Sequence, residues 1–268
     1  MLIERVWADN EGRNFHYLVA CDQTREALAI DPLNWQACLR RAQQLGWTIR
    51  AIFNTHEHGD HTGGNVPLAR QTGAAVMAHA AAAERIGSVT QPMHGGDVVR
   101  IGSNVRLRCL DTPGHTRAHL CLYAEGGGPG GEQPALFSGD TLFNAGVGNC
   151  IHGGDPELLY RSFTDCLSRL PAATRVFPGH EYLSRNLGFT LDREPSNGAA
   201  RELAQRITGL AAPDMPVLTL GEEQQVNVFF RLDQPEIIAG VKRARPAMLA
   251  ETTPRAVFLA LRDLRNRW

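Results

Sequence analysis

Four potential metal ligands fall within six residues in Thr55-His56-Glu57-His58-Gly59-Asp60-His61, directly after the apolar run Ile49 to Asn54. Imidazole nitrogens and carboxylate oxygens together suit zinc, and also iron or manganese. On an extended segment His56, His58 and Asp60 alternate to one side and His61 points elsewhere, so one loop can serve two ions. A merely solvated polar loop is a poor account of such density, because each buried histidine loses hydration and must find a partner.

Three more ligands stand at strand-end punctuation, each directly after a glycine: Pro113-Gly114-His115, Ser138-Gly139-Asp140 and Pro178-Gly179-His180. Glycine lets the backbone turn sharply and pass close to a buried ion. Asp140 is the candidate bridge, since its two oxygens can each serve one cation of a pair. A water held between two divalent cations ionises near neutral pH, and the hydroxide can attack an acyl carbon. Asp60 and Asp140 are therefore candidate catalytic residues as well as ligands, in a site that cleaves a small ester-like substrate. No serine or cysteine nucleophile is required. Cys21, Cys38, Cys109, Cys121, Cys150 and Cys166 form no CxxC pair and read as packing residues, with Cys150 kept open. His16, His79, His94, His119 and His152 lack partners at ligand spacing and read as structural or surface residues.

The elements that must position these residues alternate in type. Tyr17 to Cys21 and Ala27 to Ile30 read as a hairpin, and Trp35 to Leu45 as an amphipathic helix stopped by Gly46. Strand-like runs at 49–54, 75–78, 105–110, 120–124 and 135–137 interleave with helical stretches at 66–71 and 80–86, and the glycine-rich 126–134 reads as an exposed hairpin loop. After His180 the segments 199–207, 236–244 and 254–267 read as helices. The class is α/β or α+β with a layered sheet core, divided into a metal-binding catalytic part, 1–187, and a mainly helical substrate-binding part, 188–268.

The bulk numbers narrow the partners. A chain of 268 residues, 43% hydrophobic and 21% charged, has the composition of a folded globular protein. A net charge of −1 offers nothing to a phosphate backbone or an anionic membrane, and no uncharged apolar run approaches the roughly 20 residues a membrane span needs. No nucleic-acid or membrane partner is expected. Scattered cysteines and an N-terminus without signal or transit character fit a reducing cytoplasm, with the chain a monomer or weak homo-oligomer.

The stretches THEHGDH, PGHT, SGDTLF and PGHEY together resemble the metallo-β-lactamase superfamily and, within it, the glyoxalase II (hydroxyacylglutathione hydrolase) family, over nearly the whole chain. The resemblance implies a four-layer αββα sandwich with a C-terminal helical domain. It implies that His56, His58 and His115 hold one metal and Asp60, His61 and His180 the other, with Asp140 between them. The expected substrate is a glutathione thioester such as S-D-lactoylglutathione. A lactone, β-lactam or other thioester hydrolase of the superfamily, or an iron-dependent persulfide dioxygenase, is the alternative. The motifs Asn227-Val228-Phe229-Phe230-Arg231 and Leu261 to Trp268 match the family's C-terminal pattern, which gives Tyr182, Arg262 and Arg265 to substrate binding, the two arginines toward the glycine carboxylate of glutathione. The segment Asn144 to His152 departs from that pattern. Asn149 stands where a cationic contact to glutathione is expected.

Overall fold

The computed structural model describes residues 1–126, 133–245 and 252–268. Two sheets carry the core. The first runs β1 (Leu2–Trp7), β2 (Phe15–Ala20), β3 (Glu26–Ile30), β4 (Thr48–Phe53), β5 (Ala75–His79) and β6 (Gln91–Met93) in that order. β1, β2 and β3 pair antiparallel, whereas β3 through β6 pair parallel. Those parallel steps need crossovers, supplied by helices α1 (Trp35–Gln44), α2 (Gly59–Thr62), α3 (Asn65–Thr72) and α4 (Ala83–Ile86). The second sheet takes the order β13-β10-β9-β8-β7, from β7 (Val98–Ile101), β8 (Val105–Asp111), β9 (Leu120–Ala124), β10 (Ala135–Gly139) and β13 (Arg175–Pro178). β11 (Leu142–Phe143) and β12 (Gly146–Val147) make a small separate ribbon.

Alternation along the strands sets the layers. Phe15, Tyr17 and Val19 of β2 face the second sheet and meet Leu107, Leu122, Phe137 and Phe177. Leu18 and Ala20 point the other way, onto Cys38 and Ala42 of α1 and Leu68 of α3. The outer face of the second sheet, through Cys121, Tyr123, Leu136 and Val176, is covered by α5 (Pro156–Arg161), α9 (Pro235–Ala244) and α10 (Pro254–Arg265). The result is the expected αββα sandwich. β1 was not foreseen, because Leu2-Ile3-Glu4-Arg5-Val6-Trp7 is a half-exposed edge strand with charges in its middle.

The remaining helices are α6 (Leu183–Arg193), α7 (Gly198–Arg206) and α8 (Leu220–Val226). Their starts are marked by local chemistry: Asn197 caps α7, Thr219 and Glu222 form a reciprocal capping box on α8, and Thr253 caps α10 ahead of Pro254. The division expected at 187/188 falls inside α6, whose Leu187 and Phe189 are both buried. Most of the expected 126–134 loop lies outside the described residues. No helix among the described residues is long and apolar enough to cross a membrane.

Topology explains the convergence of distant ligands. β8 and β10 are both antiparallel to β9, and β13 is parallel to β10, so β8, β10 and β13 run in one direction. Their C-terminal ends share one edge, followed within four residues by His115, Asp140 and His180. β4 delivers His56 to the same edge from the facing sheet.

Candidate metal centre

Beyond Phe53 the chain bends at Thr55 and His56 before it reaches His58, whose φ of −65° and ψ of 143° open into α2. Strict period-two alternation therefore does not run through the ligands. The helical turn carries Asp60 to the side of His61, not to that of His56 and His58 as an extended strand would have it. His58 Nδ1 lies 3.0 Å from His56 Nε2 and 3.0 Å from His115 Nε2. On the other side His61 Nε2 and His180 Nε2 are 3.2 Å apart, with Asp60 Oδ2 at 3.6 and 3.4 Å from them. Asp140 sits between the two groups. Its Oδ2 is 3.4 Å from His115 Nε2 and 3.3 Å from His180 Nε2, and its Oδ1 is 3.4 Å from His61 Nε2.

The outward ring nitrogens fix which inward ones carry lone pairs, because a carbonyl or carboxylate oxygen only accepts. His115 Nδ1 donates to the Asn149 carbonyl at 2.7 Å, His180 Nδ1 to the Gly12 carbonyl at 2.6 Å and His61 Nδ1 to Asp31 Oδ2 at 3.0 Å. His58 Nε2 faces the His152 carbonyl at 3.2 Å. His56 Nδ1 is 3.0 Å from the Thr55 hydroxyl, which itself donates to Asp31 Oδ2 at 2.7 Å. In its neutral form each of the five imidazoles thus aims a lone pair inward. Asp140 Oδ1 is buried and accepts no hydrogen bond. Lone pairs facing one another at about 3 Å repel unless a cation lies among them.

The electrostatics agree. Burial disfavours charge on His61, yet Asp140 and Asp31 outweigh it and hold the ring well above its ordinary range. Burial also opposes charge on Asp140, but His180, His61 and His115 hold that carboxyl well below the usual carboxylate range. His56 is pushed well below its ordinary value, chiefly by burial. The pocket therefore attracts positive charge beside Asp140. The ligand atoms of His56, His58 and His115 lie within 4.8 Å of one another, as do those of Asp60, His61 and His180. This donor set, nitrogen and carboxylate without thiolate, fits divalent metal ions. Gly139 has a φ of +48°, and a Cβ there would stand 2.5 Å from Thr55 Oγ1 and 2.7 Å from His119 Nε2. A Cβ on Gly179 would be 2.5 Å from Asp140 Oδ1. Both glycines are required by close approach.

Residues 17–180 match the family model described as the metallo-beta-lactamase superfamily, and residues 181–268 match that described as hydroxyacylglutathione hydrolase C-terminus. The hydroxyacylglutathione hydrolase of Nitrosococcus oceani is 50% identical over 268 residues, covering 100% of both chains. The chain belongs to the hydroxyacylglutathione hydrolase family. Among solved structures, ETHE1 from Myxococcus xanthus has a TM-score of 0.66 at 25% identity, covering 98% of this chain and 99% of its own. TTHA1623 in a di-iron-bound form has a TM-score of 0.55 at 28% identity, covering 84% of this chain and 99% of its own.

Within this hydrolase family fold, the four residues expected to meet substrate are placed differently from one another. Tyr182 stacks on His180 at 5.1 Å and its hydroxyl donates to the Gly12 carbonyl at 3.0 Å. Arg265 is partly exposed, lies over Trp268 and donates to Asn186 Oδ1 at 3.1 Å. Arg262 departs from expectation. It is only 4% exposed, and its Nη1 donates to the Val147 and Gly148 carbonyls at 3.0 and 2.9 Å. Helix geometry turns Arg262 onto the buried face with Phe258 and Leu261, whereas Arg265 lies nearer the rim. Asn149 offers its carbonyl to His115 and its side chain to the Ile151 N–H at 3.1 Å, so it presents no cation. The Cys150 thiol is pushed up to about 11, chiefly by burial, and is no nucleophile at neutral pH.

Sequence reading missed the outer partners. Asp31, just past β3, accepts from the Thr55 N–H, the Thr55 hydroxyl and His61. Asn14 and Gly12, in the β1–β2 turn, reach Asp60 and His180. His119, read as structural, accepts from the Asp140 backbone N–H at 3.2 Å and stacks on His56. His79, by contrast, stands by Asp111 on the rim.

Proposed function

We propose that the chain is a thioester hydrolase that cleaves S-2-hydroxyacylglutathione, such as S-D-lactoylglutathione, into glutathione and a 2-hydroxy acid. The observation that carries this reading is the joining of the seven-residue His/Asp cluster to a C-terminal part that matches the hydroxyacylglutathione hydrolase model over 181–268. That match favours the thioester over the lactone, β-lactam and persulfide alternatives.

His56, His58 and His115 would hold one ion, Asp60, His61 and His180 the second, and Asp140 would contact both. Zinc suits the donors best, with iron or manganese also compatible. Two such ions supply an ionised water at neutral pH and draw electron density from the acyl oxygen. The protein's own part is orientation. Asp31, Gly12 and Asn149 hold the rings of His61, His180 and His115 so that no rotamer change is needed on binding. Asp60, more open than its neighbours, would accept the proton that such a water releases. Net reaction adds water across the acyl carbon–sulfur bond, and the thiol leaves with the proton. Arg265 and Tyr182 would contact a peptide-like thiol carrier, with Arg265 supplying the cation its carboxylate needs. Six free cysteines fit a reducing, cytoplasmic setting.

A steady-state assay on S-D-lactoylglutathione, with and without a chelator, tests this. Metal-dependent turnover is expected, and its absence removes the proposal. Parallel rates on a lactone and a β-lactam separate the alternatives, and metal analysis of the purified protein identifies the ions.

A further inference from the structure

Glu57 is the one ionisable residue of the stretch 56–61 that belongs to neither ligand group. Its neighbours His56 and His58 turn inward, with Nε2 and Nδ1 3.0 Å apart. Glu57 turns away from them to two other partners. Its Oε2 accepts from the Thr116 hydroxyl at 3.0 Å, and its Oε1 lies 2.8 Å from Arg85 Nη2. The Glu57 side chain is 13% exposed, whereas Arg85, which reaches it from α4, is 55% exposed.

Thr116 stands next to the third ligand of the same group. It is buried, and its carbonyl accepts the Gly114 N–H at 2.8 Å, which closes a tight turn with His115 at its middle. The Thr116 hydroxyl therefore ties that turn to the segment that carries His56 and His58. The two segments come from different sheets, one following β4 of the first and the other β8 of the second. Inside the pocket, His58 Nδ1 lies 3.0 Å from His56 Nε2 and 3.0 Å from His115 Nε2. Outside it, the Glu57–Thr116 bond spans the same two segments. A carboxylate that accepts a hydroxyl proton makes a charge-assisted bond, stronger than a neutral pair and stronger still away from water. The more exposed pair with Arg85 adds little on its own. A ligand set has to be held within about 0.5 Å of its working geometry, and ligands carried by two sheets keep that spacing only if the sheets are tied close to them.

We infer that Glu57 is a positioning residue for the group His56, His58 and His115. It takes no part as ligand or base. By accepting from Thr116 it fixes the spacing between the two segments that share this ligand set. The inference rests on the ligand roles proposed above for the three histidines.

The test compares Glu57→Ala, Glu57→Gln, Thr116→Val, the double variant of Glu57→Ala with Thr116→Val, and Arg85→Ala with the unaltered chain. Three readouts are taken: zinc affinity by competition with a chromophoric chelator, kcat and KM on S-D-lactoylglutathione, and the downfield ring N–H proton of His115, assigned by its loss in His115→Asn. Glu57→Ala should weaken one of the two zinc equivalents by about 10- to 100-fold, the range that one hydrogen bond to a charged group represents. It should lower kcat with little change in KM, and shift the His115 proton. Glu57→Gln, whose amide carbonyl still accepts from Thr116, should recover most of the affinity. Thr116→Val should match Glu57→Ala, and it serves as the test if that variant does not fold. The double variant should bind zinc no more weakly than either single one, because all three remove the same bond. Arg85→Ala, which opens only the exposed pair, should bind zinc as the unaltered chain does. Equal losses in Glu57→Ala and Glu57→Gln would overturn the inference and make the carboxylate charge itself, as ligand or base, what counts. Additive losses in the double variant, or unchanged zinc affinity throughout, would overturn it too. Failure of the unaltered chain to bind zinc or turn over would instead count against the proposed function, while the His115 proton would still report whether the Glu57–Thr116 bond holds that ring.

Discussion

His61 and His180 face each other with their Nε2 atoms 3.2 Å apart, and each is locked from behind, His61 by Asp31 and His180 by the Gly12 carbonyl. Neither ring can turn its lone pair away without breaking a buried hydrogen bond. Metal removal should therefore cost stability as well as activity. A ligand at a thousandfold excess over its Kd contributes about 4 kcal/mol, and a protein of this size shifts by about 2–4 °C per kcal/mol. Exhaustive chelation should abolish turnover and lower Tm by on the order of 10 °C, and added zinc should restore both. A thermal scan with unchanged Tm would show that the rings do not depend on an ion.

Among the described residues Asp140 is the one carboxylate within reach of both ligand groups, through Oδ2 to His115 and His180 and through Oδ1 to His61. Asp140→Asn keeps the size but leaves an amide that offers one acceptor atom and no charge. Loss of shared charge stabilisation of about 4 kcal/mol corresponds to about 10³-fold in kcat/KM. Metal content should fall toward one equivalent, measured by elemental analysis beside the kinetics.

The strand-to-ligand logic of this fold is legible in the sequence because it is local: an apolar run, a glycine, then His115, Asp140 or His180. So is the sandwich, since β2, β3 and β10 are apolar at nearly every position, as strands covered on both faces must be. The side taken by Asp60 was not legible from spacing, only from the family's motif, because a single turn of α2 breaks the alternation and no capping hydrogen bond announces it. Asp31, Asn14 and Gly12 escaped for another reason. Their partners at the centre are 24 or more positions away in the chain, and an aspartate before a proline looks like any turn. Arg262 was assigned to substrate from the family's C-terminal pattern, which does not show that its guanidinium also bonds the Val147 and Gly148 carbonyls.

An outer partner should matter in proportion to the ring it holds. Asp31 accepts from His61 and from Thr55, which in turn holds His56. Asp31→Asn places an amide where three hydrogen bonds must be accepted, and should reduce metal affinity and kcat by about 10- to 100-fold. KM should hardly move, since Asp31 is buried behind the ligands. A large rise in KM with metal content intact would contradict this.

Glu223 gives the stability a pH dependence of definite sign. Burial raises its carboxyl to about 8, against the hydrogen bonds from Asn227 and the Ala145 N–H, which lower it. The unfolded chain releases this proton near pH 4.5, while the folded chain keeps it to about 8. Between those values the unfolded state binds fewer protons, so stability falls as pH rises through the interval and levels off above it. The contribution is fully present below pH 4.5 and amounts to on the order of 4 kcal/mol. Urea titrations from pH 5 to 9 should show the unaltered chain losing stability more steeply than Glu223→Gln, and parallel slopes would refute the assignment.

Arg265 and Asn149 divide the question of the thiol carrier. Asn149 leaves the rim without the cation that the family's pattern provides there, and Arg262 is engaged with backbone carbonyls. Arg265 is the remaining C-terminal cation of the expected set with partial exposure, and its pKa is lowered chiefly by burial and then by the nearby Arg185 charge. Like charges so placed are relieved when an anion binds between them. Arg265→Ala should therefore raise KM for the glutathione thioester by about tenfold, the value of one charge-assisted hydrogen bond of about 1.4 kcal/mol, with kcat and metal content retained. The same variant should leave KM unchanged for a thioester whose thiol lacks carboxylates. Equal effects on both substrates would mean that Arg265 shapes α10 and does not meet the carrier's charge.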